Sequence, residues 1–292
     1  MTSSTVSGNR TTGLFANGGG LFVREIFGTT TITESTISNN EAAGSKGGGV
    51  FARGAIAIVG STISGNRTTA DSSDNNGGGG GVYSFNSITL DHSTVSGNST
   101  TGARSRGGGA MTPRLITVTD STITGNSTAG LGAVGGGLAG GSVSGVNSPT
   151  NGVTLTRSTV SNNSTAGNGA AGGGVFGLVS ATESEITGNR TLGISSLGGG
   201  AFGGSITFTR TLISDNHTTG DGASGGGFAS VTDPGGSVQF IASTVSDNST
   251  SGKTAFGGGG YKSSGGVTVT DSVISGNSTT GAVELYRGGG GP

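Results

Sequence analysis

Ten variants of the segment Ser-Thr-Val/Ile-Ser/Thr-x-Asn, each followed by a run of at least three glycines, set the plan of the whole chain. The anchor asparagines are Asn9, Asn40, Asn66, Asn98, Asn126, Asn163, Asn189, Asn216, Asn248 and Asn277, spaced 26 to 37 residues apart. A period of that length marks a solenoid, in which each repeat is one supersecondary unit that buries its apolar face only against its neighbours. The glycine runs usually close eleven residues after the asparagine, as at Gly109, Gly137, Gly174, Gly200, Gly227 and Gly259, so insertions fall mainly in the return leg.

Within a unit the period is two. In ITVTDSTITGN, Ile116, Val118, Ser121 and Ile123 fall on one side, Thr117, Thr119, Thr122 and Thr124 on the other, and Asp120 takes the corner. Alternation of this kind, rich in Val, Ile and Thr and broken every few residues by glycine, specifies strands and excludes a helical repeat. The unit Gly172 to Asn189 reads as three short extended pieces joined by turns, preceded by a linker starting at Ser164. Aligned units give two interior ranks. One holds Ile32, Ile58, Leu90, Val118, Leu155, Ala181, Phe208, Phe240 and Val269; the other runs from Val6 through Ile37, Ile63, Val95, Ile123, Val160, Ile186, Ile213 and Val245 to Ile274. The expected fold is all-β: a single-stranded right-handed parallel β-helix of about ten coils, one domain over residues 1–292 that starts and ends within a coil. At a strand spacing of about 4.8 Å it is roughly 48 Å long.

Composition agrees with a thin core and removes several function classes. Glycine supplies 66 of 292 residues, hydrophobic residues only 29% and charged residues 10%, which would suggest disorder in an aperiodic chain. A formal net charge of −1 with no basic stripe argues against nucleic acid as a partner. No stretch approaches eighteen consecutive apolar residues, so no membrane span is expected. The chain has no cysteine and therefore no disulfide framework. Its opening Met1-Thr-Ser-Ser-Thr has neither a charged nor an apolar signal region, so no signal peptide is expected in the chain as it stands.

The units resemble the repeats of bacterial surface and secreted proteins with right-handed parallel β-helix passengers, including the polymorphic outer membrane proteins, a family of autotransporter passengers. Gly172-Gly-Gly-Val-Phe176 is similar to the Gly-Gly-Ala-Ile-like motif of those repeats, and Ser158-Thr-Val-Ser-Asn-Asn163 stands where they carry Phe-x-x-Asn. The resemblance covers essentially the whole chain. It implies an extracellular or cell-surface location and a role in adhesion or envelope architecture, with export and anchoring segments supplied elsewhere.

Each motif has a structural and a functional reading. The ten anchor asparagines tolerate corner backbone angles and can bond to each other up the stack, forming an asparagine ladder. All but Asn40 also begin an Asn-x-Thr glycosylation sequon. The glycine runs lack the Gly-Lys-Ser/Thr of a phosphate loop and the regular aspartates of a calcium repeat, so neither cofactor nor metal is expected. Polysaccharide-cleaving β-helices use clustered acids; the best candidate here is Asp215 and Asp247 with His217, at one rank of neighbouring coils. Thr36, Thr62, Thr94, Thr122, Thr159 and Thr244 share an outward rank beside a second rank of Ser and Thr, a grid suited to ice or another flat surface and equally to a plain strand face. Corner residues Asp120, Arg157, Glu183 and Arg210 alternate in sign, as a charge ladder would. Two polar excursions, 70–76 and 140–152, are candidate ligand loops for a carbohydrate or a cell-surface partner. Bare terminal coils, with Val6 at one end and Val283 and Leu285 near the other, suggest end-to-end self-association into filaments or continuation in a longer passenger. The resulting expectation is a non-enzymatic stalk or fibre, without catalytic residues.

Overall fold

A computed structural model describes residues 1–13, 16–44, 46–71, 77–141, 151–231 and 236–281. Val283, Leu285 and the greater part of both candidate ligand loops lie outside the described residues. Every described element is a short strand, and all strand pairs are parallel. The chain winds as a β-solenoid of about nine coils.

Each coil contributes to four sheets, one more than the three strands expected. The coil after Gly107-Gly-Gly109 shows the order: Ala110–Thr112 in sheet I, Leu115–Thr119 in sheet II, Thr122–Thr124 in sheet III and Ser127–Ala129 in sheet IV. Sheets I and II have nine strands each, sheets III and IV ten. Sheet IV is the segment read from sequence as a linker: its strands are two or three residues of mostly Ser, Thr and Arg, too short and too polar to show an alternation. Ser164–Ala166, at the head of that supposed linker, pairs in register with Ser127–Ala129 below and Arg190–Leu192 above.

Register follows the two apolar ranks residue for residue. In sheet II, Ile58, Leu90, Val118 and Leu155 are successive partners, and in sheet III Ile63, Val95, Ile123 and Val160 are. Their side chains point inward and are fully buried, while the residues between them are partly or fully exposed. A slip of one residue would turn every rank outward, so the pattern fixes the register. Each buried Val, Ile, Leu or Phe contributes about 1.5–3 kcal/mol, delivered coil by coil along a continuous thin core. In the last coil the ranks end half-exposed at Val269 (46%) and Ile274 (54%).

The corners explain the glycine run. Gly107 has φ +60°, the left-handed region that glycine enters without penalty. The next two glycines are selected by crowding. A Cβ on Gly108 would lie 2.4 Å from the carbonyl oxygens of both Ser127 and Gly136, and one on Gly109 would lie 2.7 Å from that of Gly137 and 3.1 Å from Cγ of Asn126. The run therefore packs against the asparagine and sheet IV strand of its own coil, closing the loop of chain. That contact couples the two halves of the sequence motif.

Candidate functional surfaces and the polar ladders

The ten anchor asparagines form a continuous ladder inside the solenoid. The Asn98 backbone N–H and its Nδ2 both donate to Oδ1 of Asn126, at 3.0 and 2.9 Å; Asn126 repeats the pattern to Asn163, at 2.9 and 3.0 Å. Nδ2 of Asn126 also donates to the Val95 carbonyl of the preceding coil at 2.8 Å. The same bonds join Asn9 to Asn40, Asn40 to Asn66, Asn66 to Asn98, Asn163 to Asn189, Asn189 to Asn216, Asn216 to Asn248 and Asn248 to Asn277. From Asn40 to Asn248 the side chains are buried. Their amides are thus satisfied on both sides, as buried polar groups must be. The Asn-x-Thr sequons of this interval serve the fold: Nδ2 of each asparagine is inside and bonded, inaccessible to a glycan in the folded chain.

Two further ladders were hidden in the sequence. Backbone N–H of Ser35, Ser61, Ser93 and Ser121 donates to the hydroxyl of the serine one coil on, at 3.0, 3.1, 3.0 and 3.2 Å. Thr211 continues this line in place of serine, its hydroxyl receiving the N–H of Ser184 at 3.4 Å. In sheet IV the middle threonines, Thr68, Thr100, Thr128, Thr165, Thr191, Thr218 and Thr250, stack inward and are buried. Thr191 and Thr218 donate to the first glycine carbonyl of the run that follows them, Gly198 and Gly225, both at 3.0 Å. The serine signal was present, a Ser or Thr before the strand of sheet III in all ten units, but alternation alone does not say what its hydroxyl bonds; the sheet IV rank is broken by Ala42 and lies in strands too short to show a period.

The outward threonine rank lies on sheet III. Thr36, Thr62, Thr94, Thr122 and Thr159 are partners in five consecutive strands; Glu185 and Leu212 interrupt before Thr244. Ser38, Ser64, Ser96, Thr124 and Ser161 form the parallel rank two residues on, and both ranks are partly exposed.

At the corner between sheets II and III the alternating charges form an ion-pair ladder. Arg157 grips Asp120 in a two-point contact, Nε to Oδ1 at 2.8 Å and NH2 to Oδ2 at 2.7 Å, and Arg210 donates twice to Glu183 Oε1 at 3.0 and 2.7 Å. The Arg157 hydrogen bonds hold the Asp120 carboxyl below its ordinary value, and the same bonds raise that of Arg157. His92 completes the row, Nδ1 at 2.8 Å from Asp91 Oδ1 and Nε2 at 3.9 Å from Asp120 Oδ2. Ligand atoms of Asp91, His92 and Asp120 lie within 4.8 Å of one another, the spacing of a loose metal nest. Both Asp120 oxygens are engaged by Arg157, so the trio acts as part of the ladder. The corner residues Glu34, His92, Asp120, Arg157, Glu183, Arg210, Ala242 and Asp271 all have φ between +46° and +52°, a backbone state that the serine ladder on their C-terminal side holds in place.

Asp215 and Asp247 occupy the residue before the anchor asparagine, with φ of +55° and +57°. Gly97, Gly125 and Asn162 hold the same left-handed state at that rank, which accounts for the exchange of Gly, Asn and Asp there. His217 is engaged elsewhere: its Nδ1 lies 2.6 Å from the Ser249 hydroxyl. Among the described residues nothing joins the three into a catalytic arrangement.

Sheet I bears an unexpected second core on its outer side. Phe22, Phe51, Tyr83, Met111, Ala139, Phe176 and Phe202 are successive partners in it. Ring centroids are 4.8 Å apart for Phe22 and Phe51, 5.6 Å for Phe51 and Tyr83, and 5.4 Å for Phe176 and Phe202. Beside it runs a column of single parallel bridges through Lys46, Gly78, Arg106, Val134, Ala171, Leu197, Ser224 and Phe256. Alternation after the glycine run does put the aromatic outward; what sequence hid is the bridge column that covers it. Among the described residues no helix is long and apolar enough to cross a membrane. No family model matches this chain, and neither the curated proteins nor the solved structures contain a match.

Proposed function

We propose that the chain is a structural rod, a non-enzymatic stalk or fibre segment of an extracellular or cell-surface protein, with adhesion as its purpose. The observation that carries this reading is the asparagine ladder, unbroken from Asn9 to Asn277. A ladder with identical bonds in every coil gives a uniform, stiff body about 43 Å long over nine strand steps, and its buried polar groups are spent on stacking. The resemblance of its motifs to polymorphic outer membrane protein repeats supports the surface location. Antibodies raised against the folded chain should label intact source cells; labelling only after permeabilisation would overturn the location.

Continuation of the stack is part of this reading. Val267, Val269, Val273 and Ile274 are each about half exposed in the last described coil, an apolar strand edge suited to further parallel coils of the same protein or to a second copy. Head-to-tail contact between copies does not close and gives filaments. Sedimentation that shows one monomeric species at every concentration would exclude the second copy.

The threonine grid favours a second reading, binding to ice or another flat surface, because Thr36 to Thr159 keep one outward position through five consecutive strands. Thermal hysteresis that disappears in Thr122→Lys would establish it, and absence of hysteresis in the unmodified chain would retire it. A polysaccharide ligand is the remaining alternative, tested by binding and cleavage assays on acidic polysaccharides with calcium.

A further inference from the structure

The second core contains a charge that the fold does not account for. Arg106 is 1% exposed, and its Nε, NH1 and NH2 have no hydrogen-bond partner among the described residues. The other bridge-column positions show that stacking does not need a cation there: Gly78 lies on one side, and Val134, Ala171 and Leu197 follow on the other. Arg106 belongs to the coil of Met111, yet its guanidinium lies 4.9 Å from the ring centre of Phe176, two coils on. The outward side chain in the intervening coil is Ala139, a methyl group between Met111 and Phe176, and its size leaves the guanidinium room to cross. Contact with an aromatic face compensates part of the cost of burial. It does not satisfy the five N–H donors of an arginine.

We propose that Arg106 anchors an anion-binding site in the second core, taking a small monovalent anion that is either a free halide or the carboxylate of a larger ligand. A buried cation is tolerated only with a counter-charge and with its donors bonded. Among the described residues no carboxylate supplies that charge: burial lowers the Arg106 guanidinium to about 10, Tyr83 opposes the shift, and the side chain stays protonated at neutral pH. The donors form a planar fork, the geometry that matches a carboxylate in two-point contact and also accepts a halide between two N–H groups. The second core around it, Met111, Val134, Ala139, Ala171 and Phe176, is apolar apart from Tyr83, so a bound anion would be desolvated and held mainly by this one guanidinium. Such a site selects small, weakly hydrated anions over sulfate or phosphate.

The test uses the full chain. Chloride titration followed by chlorine-35 line width should show saturable broadening in the unmodified protein and only background broadening in Arg106→Met, with the fold of the variant checked by circular dichroism. Acetate should displace the chloride if a carboxylate is the natural occupant, and should leave the line width unchanged if the site takes free halide alone. Either result supports the site. Should Arg106→Met fail to fold, crystals of the unmodified chain soaked in bromide should place an anomalous peak beside the guanidinium. Equal broadening in the folded variant, or no saturable broadening together with no bromide peak at Arg106, overturns the proposal.

Discussion

Truncating one rung of the asparagine ladder should be among the most damaging single changes this chain can suffer. Asn126→Ala removes the Oδ1 that accepts from the Asn98 backbone N–H and Nδ2, and the Nδ2 that donates to the Val95 carbonyl. The Asn98 N–H loses its partner and the Val95 carbonyl its side-chain donor, whereas Asn98 Nδ2 keeps the Ile63 carbonyl and Asn163 Oδ1 still receives the N–H of residue 126. An unsatisfied buried donor or acceptor costs about 1–3 kcal/mol, so the two together cost about 2–6 kcal/mol. That is a large part of the roughly 5–15 kcal/mol of a whole domain. Asn9→Ala removes only the Nδ2 bonds to Asn40 Oδ1 and the Ser7 carbonyl, at an exposed rung where water replaces the lost partners, and should cost under about 1 kcal/mol. Asn126→Asp is a finer probe. Its carboxylate cannot donate to Asn163 Oδ1 or Val95, so stability should be low at neutral pH; burial raises the folded-state pKa, and protonation on acidification restores one donor. Urea unfolding followed by far-ultraviolet circular dichroism, with amide exchange at Asn98 to localise the damage, measures all three. Equal loss in Asn126→Ala and Asn9→Ala would refute the assignment of stability to the buried ladder.

The glycine corner makes a comparable contrast: Gly108→Ala drives a Cβ into two backbone carbonyls and should cost about 3 kcal/mol or more, whereas Gly132→Ala, at φ +66° with open space around it, should cost only about 1–2 kcal/mol in thermal melts. Ile123→Asp puts an unpaired carboxylate into the buried rank and should cost several kcal/mol, while Thr122→Asp on the outer rank of the same strand should cost little; equal melting temperatures would mean that inside and outside are exchanged.

The fold was legible wherever a rank was apolar. Val95, Ile123 and Val160 declare the inside of sheet III by hydrophobicity alone, and Asn126 declares its ladder because a large polar residue recurs without exception at a corner. Ser121 and Thr128 were harder. Serine stands on the inner side by alternation, but nothing in its chemistry says that its hydroxyl caps the N–H of the preceding coil, and the inward face of sheet IV is threonine in a segment too short for a period. Sheet I deceived in the opposite sense: Phe51 and Tyr83 point outward as alternation requires, and are buried all the same because the bridge column beside them makes a second core. Arg106 is the residue that sequence could not place, since charge before a glycine run reads as a solvated turn. The charge ladder was legible only as alternating signs; the two-point geometry of Asp120 and Arg157 needed coordinates.

The most direct test of a stiff, ladder-held rod is one distance. The chain has no cysteine, so Thr36→Cys and Thr244→Cys accept a spin label each at two defined sites on the outer rank of sheet III. Seven strand steps separate them in the sheet order, which places them about 34 Å apart at about 4.8 Å per step. A flexible chain of 208 residues between the same positions would average about 80 Å. Double electron–electron resonance should give a single narrow distribution centred near about 34 Å; a broad distribution, or one centred far beyond that distance, would contradict the account.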